Sequence, residues 1–578
     1  MKRLLILLLG AVAVLCAWLL NACNFQKNFQ APLLKGMGEH EFKITTGSFY
    51  AQKFFNQGLI LAYGFNHAEA ARSFREAINQ DGDCAMCHWG LAYVLGPNYN
   101  VGMDESVNKE AYEAAQKALK LSDNVTEREK YLIKAMVRRY SLNFDERPEL
   151  DKAYSEAMAH VYEAFPEDDD VAALYAESLM DLHPWDLYTK IEGEPKSWTP
   201  EIVSIIEKAM EINPKNPMPI HLYIHATEAS NTPERALEKA QKLGSLTPGA
   251  GHLVHMPSHT YIRTGDYHLG TLANEKAAEV DSLYLLSCQV QGLYPLALYP
   301  HNIHFLTACA ALEGSGAKAI EASFSLASKV DKEVMKQKEW SGLQHFTTIP
   351  YNVLVKFAQW EKVLQLPEPE LLYPKAIWHY ARGMAFSNLD KPVQAKSELE
   401  RLEIISQNDE LKEITVWDIN SVDQLVRIAD NVLQAEILRK AGSFGEAEQL
   451  LLAAVALEDS LNYQEPPDWF FSVRHVLGDL YMETLAYEKA ESVYRDDLRT
   501  FKKNGYALNG LYHSLNKQGK ADEAIEVKLQ FEEAWQYADT PLKYSLVDPE
   551  KREDLIISIK EDTPDDLITI SMNFCGLR

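Results

Sequence analysis

The sequence predicts an all-α chain in which helical hairpins stack into one continuous solenoid. Three observations carry that reading. Beyond residue 45 apolar residues recur at helical spacing and seldom alternate as a strand requires. Small and aromatic residues return with a period of 34 residues. The composition, 47% apolar and 24% charged, is globular and excludes a disordered or collagen-like chain. Length alone, 578 residues, would suggest three or four domains. A repeat array, however, grows by adding hairpins, so its divisions are soft. Lys plus Arg number 57 against 83 Asp plus Glu, a net charge of −26. Such a surface repels phosphate backbones and no Lys/Arg run offsets it, so no nucleic acid is expected among the partners. Seven cysteines are too few for a disulfide framework in a chain of this length.

From the N-terminus, Lys2 and Arg3 precede an uninterrupted apolar run of 17 residues, Leu4 to Leu20, then Asn21, Ala22 and Cys23. A basic start, an apolar stretch and a small residue before a cut site make a secretory signal over 1–22. A run of this length also approaches what a retained membrane anchor needs. Leu20-Asn21-Ala22-Cys23 resembles a bacterial lipobox, which implies that Cys23 is lipidated and becomes the new N-terminus; Asn21 departs from the usual pattern. Both readings place the body outside the cytoplasm, at the cell envelope and held to a membrane by its N-terminal end. Residues 23–44 read as a tether.

The repeat is plainest at Leu477-Gly478, Tyr481, Ala490 and Tyr494. With Phe471 as position 1, Gly478 falls at 8 and Ala490 at 20; the next unit starts at Gly505, with Tyr512 at 8, Gly519 at 15 and Ala524 at 20. The frame recurs upstream. A start at Ala51 gives Gly58 at 8, Ala70 at 20 and Phe74 at 24, and a start at Ala376 gives Gly383 at 8 and Ala395 at 20. Starts at Pro217, Gly251, Pro300 and Ile428 place Ala236, Tyr261, Ala319 and Ala447 in the same frame. Helix starts carry ordinary caps, such as Thr126-x-x-Glu129 and Thr199-Pro200. This pattern resembles the tetratricopeptide repeat (TPR) family, and the chain is similar to exported bacterial TPR lipoproteins. The resemblance implies a right-handed TPR superhelix, an α-solenoid of roughly ten to twelve helical hairpins. Its arrays are expected at 45–285 and 366–578, with a central TPR-like segment carrying insertions at 286–365.

In that family the first helix of each hairpin lines a concave groove, and positions 2, 5, 9, 12 and 13 point into it. The frame then puts His221, His225 and Glu228 inward from one hairpin and His252, His255, His259 and Arg263 from the next. His301 and His304 follow from the third, so seven of the 17 histidines fall on groove positions of three successive helices. Residues four apart on a helix lie one above the other, so His221/His225 and His255/His259 have the spacing that presents two imidazoles to one metal. Glu228 would add an oxygen ligand or act as a base near bound water. Imidazole with an occasional carboxylate suits zinc, copper or iron. Histidines in a polar groove also serve as hydrogen-bonding partners of a protein, peptide or small ligand, and Arg263 adds a polar group there.

Cys84-Ala85-Met86-Cys87-His88 matches the C-x-x-C-H attachment motif for haem c, with His88 as axial ligand. Its place at the start of a repeat argues against a haem; a Cys84–Cys87 disulfide, free thiols or a contribution to a metal site are the alternatives. Cys288 with Cys309 is a second candidate pair. Glu177 and Asp181, four apart, read as solvated or capping residues. There is no G-x-S-x-G elbow, P-loop, Rossmann glycine pattern or H-E-x-x-H, so no named reaction is supported. The expected function is an exported lipoprotein scaffold whose histidine-lined groove binds a transition metal. A metal-dependent enzyme using the same groove, or a c-type haem protein, is the alternative.

Overall fold

The computed structural model describes residues 29–190, 193–288, 293–548 and 550–551. The signal sequence, Cys23 and Cys575 lie outside them. Twelve hairpins follow one another among the described residues. The first six pair α1 (Phe49–Tyr63) with α2 (His67–Gln80), α3 (Ala85–Leu95) with α4 (Asn108–Lys120), and α5 (Glu127–Arg138) with α6 (Arg147–Ala164), then α7 (Asp169–Met180) with α8 (Thr199–Ile212) and α9 (Pro217–Glu228) with α10 (Leu237–Leu246); in the sixth, α11 (Gly251–His255) and α12 (Pro257–Thr264) face α13 (Tyr267–Ser287). The next two are α14 (Tyr299–Glu313) with α15 (Gly316–Lys329) and α16 (Leu343–Lys356) with α17 (Trp360–Gln365). Then come α18 (Leu372–Asn388) with α19 (Pro392–Ser406), the short α20 (Glu410–Glu413), and a two-stranded ribbon of β1 (Thr415–Val416) and β2 (Asn420–Ser421). The last three are α21 (Val422–Lys440) with α22 (Phe444–Asp459), α23 (Val473–Glu483) with α24 (Tyr487–Thr500), and α25 (Gly505–Lys517) with α26 (Ala521–Ala534). The fold is an all-α solenoid.

The 34-residue frame has a direct packing cause. In two hairpins position 24 carries a large ring, and it lies between a glycine of its own hairpin and a glycine of the next. A Cβ on Gly58 would stand 2.8 Å from the Phe74 ring, and one on Gly90 would overlap the same ring from the other side. Tyr494 is held in the same way between Gly478 and Gly510. Position 15, between the two helices, needs a left-handed backbone. Gly265, Gly314, Gly442 and Gly519 supply it with φ of 77–85°. In the first hairpin Phe65 occupies this position at φ 54°, a conformation that costs a residue with a Cβ about 1–2 kcal/mol.

Thr126 and Glu129 form a reciprocal capping box at α5. Thr199 differs from its sequence reading: it is the first residue of α8, Trp198 is the N-cap, and the Thr199 hydroxyl donates to the Leu187 carbonyl. Residues 29–44 run along the first hairpins, where Ala31 and Phe42 are buried and Gln57 accepts from the Leu34 amide at 2.7 Å.

The chain also folds back on itself. Tyr267 Oη donates to the Lys502 carbonyl at 2.8 Å, and Tyr506 Oη to the Ala311 carbonyl at 2.8 Å. Lys503 pairs with Asp266, and Asp539 accepts from the Gly316 amide at 2.6 Å. The late hairpins thus press against the middle ones. Buried apolar residues form one cluster running chiefly from Ala31 to Val363 and another from Tyr373 to Val527, with Tyr351, Trp360, Trp417 and Phe471 packed against both.

Candidate metal centre

Three helices carry the histidines, and each is positioned by its own local chemistry. In α9 Pro217 stands in the first turn, where its missing N–H is no loss, and the Asn216 side chain caps the helix by accepting from the Met218 amide. All twelve residues of α9 are buried. The next helix is broken after His255: Pro257 lacks the N–H that would continue the ladder, so α11 ends and α12 begins. Gly251 opens α11 against Asp281, and a Cβ there would overlap the carboxylate. Asp281 accepts from Tyr294 Oη at 2.6 Å and Asn302 Nδ2 at 2.6 Å, and Tyr294 Oη in turn accepts from the His252 amide at 3.1 Å. A π-helical stretch, Tyr294–Leu298, leads directly into α14, which carries His301 and His304.

Six of the seven histidines form one connected cluster. Ring centroids are 4.9 Å apart for His221/His225, 5.2 Å for His221/His252 and 5.5 Å for His252/His255. They are 4.9 Å apart for His255/His259 and for His255/His301, and 5.4 Å for His225/His259. Three donor sets lie close enough to share an ion, with ligand atoms within 4.8 Å: His221/His225/His252, His255/His259/His301, and His225/Glu228/His259.

Hydrogen bonding at the outer nitrogens fixes what the inner ones present. Asn274 Nδ2 donates to the Gly270 carbonyl, which turns its Oδ1 to His255 Nδ1 at 2.6 Å. An amide oxygen only accepts, so His255 carries its proton on Nδ1 and a lone pair on Nε2. Glu228 Oε2 lies 2.5 Å from His259 Nδ1, and Oε1 lies 2.8 Å from His225 Nδ1. Both of these rings therefore donate outward from Nδ1, and in the neutral form each keeps a lone pair on Nε2. His221 donates to the Tyr63 backbone and its Nε2 has no partner, like His225 Nε2 and both ring nitrogens of His252. The consequence is sharpest between His255 Nε2 and His259 Nε2, which face each other at 3.0 Å. Two lone pairs at that distance repel unless a metal ion or a proton lies between them. Two nitrogens ~2.0–2.1 Å from one tetrahedral zinc would stand roughly 3.3 Å apart.

Five of the clustered histidines are held towards the neutral form. Burial first, then neighbouring imidazoles, puts His221, His252 and His255 well below the ordinary histidine range. Burial and His259 bring His301 to about 3. Burial also lowers His259, although Glu228 pulls the other way. Burial would raise Glu228, but His259 and His225 bring it down to about 2, so it is a carboxylate.

The groove of the sequence reading is filled at this level. His255 is 0% exposed, His221 and His259 1%, and His225 and His252 2%, while His301 is partly exposed. Phe65 covers His221, His225 and His252 with centroids at 4.7, 5.9 and 5.4 Å. Phe305 covers His255, His259 and His301 at 4.8, 4.4 and 5.1 Å. Tyr99 and Trp185 close over His225. Phe305 stands on α14, whereas Phe65, Tyr99 and Trp185 come from the connections between the two helices of their hairpins, whose reach a repeat frame does not encode.

Other sequence candidates fall elsewhere. His304 is in none of the three donor sets; its ring lies 5.5 Å from that of His345, a buried histidine outside the sequence-derived candidates, and Phe346 and Phe470 flank it. Arg263 braces the end of α9 by donating to the Glu228 and Ser230 carbonyls. Cys84 and Cys87 are joined in a disulfide at the start of α3, and His88 Nε2 is turned to the Gly82 carbonyl at 3.2 Å. Cys288 and Cys309 are free thiols; Cys309 is buried against Gly270. Glu177 and Asp181 are not solvated. Glu177 accepts from Tyr93 Oη, and Asp181 forms a buried ion pair with Arg139 at 2.9 Å, because the second and third hairpins supply these partners. His40 with Asp169 and Asp170 is a further acidic group near the N-terminal end, but Arg128, Asn213 and Asn216 already engage its carboxylates. No described helix is long and apolar enough to cross a membrane.

No protein-family model matches the chain, and no curated protein matches it. Among solved structures, the human IFIT1 dimer with m7Gppp-AAAA is similar at 13% identity, with 85% of this chain and 91% of that one covered and a TM-score of 0.29. The APC/C hetero-tetramer Cut9-Hcn1 is similar at 12% identity, with 90% and 76% covered and a TM-score of 0.28.

Proposed function

We propose that this chain is an envelope-anchored helical-repeat protein that binds a transition metal at the buried histidine cluster, with the solenoid as its scaffold. One observation carries the reading: His255 Nε2 and His259 Nε2 face each other at 3.0 Å while Asn274 and Glu228 hold the proton of each ring on the far nitrogen. A metal ion resolves that arrangement, and oriented outer hydrogen bonds of this kind are what metal-ligating histidines use. Neutral imidazoles suit zinc, copper or iron at such a site. The signal sequence and Cys23 support export and lipid attachment. The reading of a protein or peptide partner rests on the outer solenoid surface, since the inner face at the cluster is covered except at the partly exposed His301.

Elemental analysis of the purified full chain tests the metal. The protein should retain a transition metal, and a strong chelator should lower its Tm, because the bound ion stabilises only the folded state. His225→Ala/His259→Ala should abolish both effects. Metal-free protein from a metal-replete preparation, with a Tm indifferent to added zinc, copper or iron, would overturn the proposal.

A further inference from the structure

The cluster has an internal symmetry that a single metal site does not require. Glu228 touches one histidine of each triad, with Oε1 on His225 Nδ1 and Oε2 on His259 Nδ1. Each triad has its own phenylalanine touching all three of its rings, Phe65 for His221/His225/His252 and Phe305 for His255/His259/His301. Each triad has its own unsatisfied geometry as well. In the first, His221 Nε2, His225 Nε2 and both nitrogens of His252 are buried without a partner. In the second, the lone pairs of His255 and His259 converge. A buried polar atom left unpaired costs about 1–3 kcal/mol, so four in one triad mark missing partners there too.

Resting on the metal reading above, we infer that the cluster holds two metal ions, one in each histidine triad, and that Glu228 ligates neither. Glu228 is a positioning residue. Its two oxygens each hold one histidine as an Nδ1 donor, so that His225 Nε2 serves the first ion and His259 Nε2 the second. The competing arrangement, one ion held by His225, Glu228 and His259, would need Glu228 to give up those two hydrogen bonds. It would also leave His221, His252 and the His255/His259 lone pairs unsatisfied. Three imidazoles per ion leave a coordination position open at each, as in zinc sites that bind water or substrate.

The test is stoichiometry on the full chain, stripped with a chelator and dialysed against zinc. Wild type should bind two zinc ions. His221→Ala/His252→Ala and His255→Ala/His301→Ala should each bind one. Glu228→Gln is the discriminating variant. Its amide oxygen accepts from one Nδ1–H, but its NH2 group donates, so the other ring must move its proton to Nε2 and lose the lone pair. This variant should keep one ion at full strength and bind the other ~10–100-fold more weakly, the usual effect of losing an orienting partner. X-ray absorption of the wild-type zinc form needs no variant and should show a first shell without a carboxylate oxygen. One zinc in wild type, lost altogether in Glu228→Gln, would overturn the two-ion inference and leave the metal reading intact. A carboxylate ligand in the absorption spectrum would overturn the positioning role. No zinc in wild type would overturn the metal reading itself.

Discussion

His345 shows what burial does to a single imidazole in this protein. It is 1% exposed, its Nδ1 meets Tyr373 Oη at 2.9 Å, and burial brings its pKa from 6.5 to about 3. As pH falls below 6.5 the unfolded chain takes up a proton that the folded chain refuses. The stability this group contributes is therefore complete above that value and is lost at ~1.4 kcal/mol per pH unit on the way down towards the folded pKa. His345→Gln does not titrate. Its stability in urea unfolding should fall by about 1.4 kcal/mol less than wild type between about pH 7.5 and about pH 5.5. Equal losses in the two proteins would show that His345 is not held neutral. Phe65 makes the complementary point: it accepts a left-handed backbone where four other hairpins use glycine, and its ring lies on three histidines. Phe65→Gly should relieve that strain and uncover the first triad, so metal should exchange faster from a chain that folds normally. Isotope exchange with labelled zinc measures the difference.

At the scale of the element, the rings at position 24 lock two pairs of successive hairpins together, through Phe74 and Tyr494. Phe74→Ala should cost ~3–5 kcal/mol, because it empties the space that Gly58 and Gly90 were shaped to leave; equilibrium unfolding measures it. Gly251→Ala tests the positioning of α11. The new Cβ meets the Asp281 carboxylate, which must move together with Tyr294 and Asn302. Metal occupancy should drop while far-UV circular dichroism stays that of a helical protein. Unchanged occupancy would show that the Asp281 network does not set the height of His252 and His255. The hairpin frame was legible in the sequence because glycine and alanine must sit wherever two helix axes approach closely. The break at Pro257 and the π-helical entry to α14 were not, since both depend on what the neighbouring hairpin presses against.

The whole molecule differs from an open array in being closed on itself. The sequence placed His221, His225, His252, His255, His259 and His301 on one face, since the repeat period dictates the direction of each side chain. It did not reveal that aromatic side chains cover most of that face and leave only His301 partly exposed among these six. The covering residues Phe65, Tyr99 and Trp185 stand in turns and loops, and the contacts that bring Lys502, Lys503, Tyr506 and Asp539 back onto Tyr267, Asp266, Ala311 and Gly316 span more than 190 residues. No local pattern encodes a pairing so distant. Nor did spacing identify Asn274, which lies on the opposite helix of its hairpin and decides the tautomer of His255. At this scale the proposed anchor is tested by Cys23→Ser, which should release the protein from membranes or leave its signal uncleaved. Normal processing and membrane retention in that variant would contradict lipid attachment at Cys23.

The most direct measurement of the metal centre is anomalous diffraction from crystals of the full chain, recorded on both sides of the absorption edge of the metal that elemental analysis identifies. The expected result is an anomalous peak between His255 Nε2 and His259 Nε2, and a second among His221, His225 and His252. The contradicting result is no anomalous density at either place, with the two facing nitrogens joined through a proton or a water molecule.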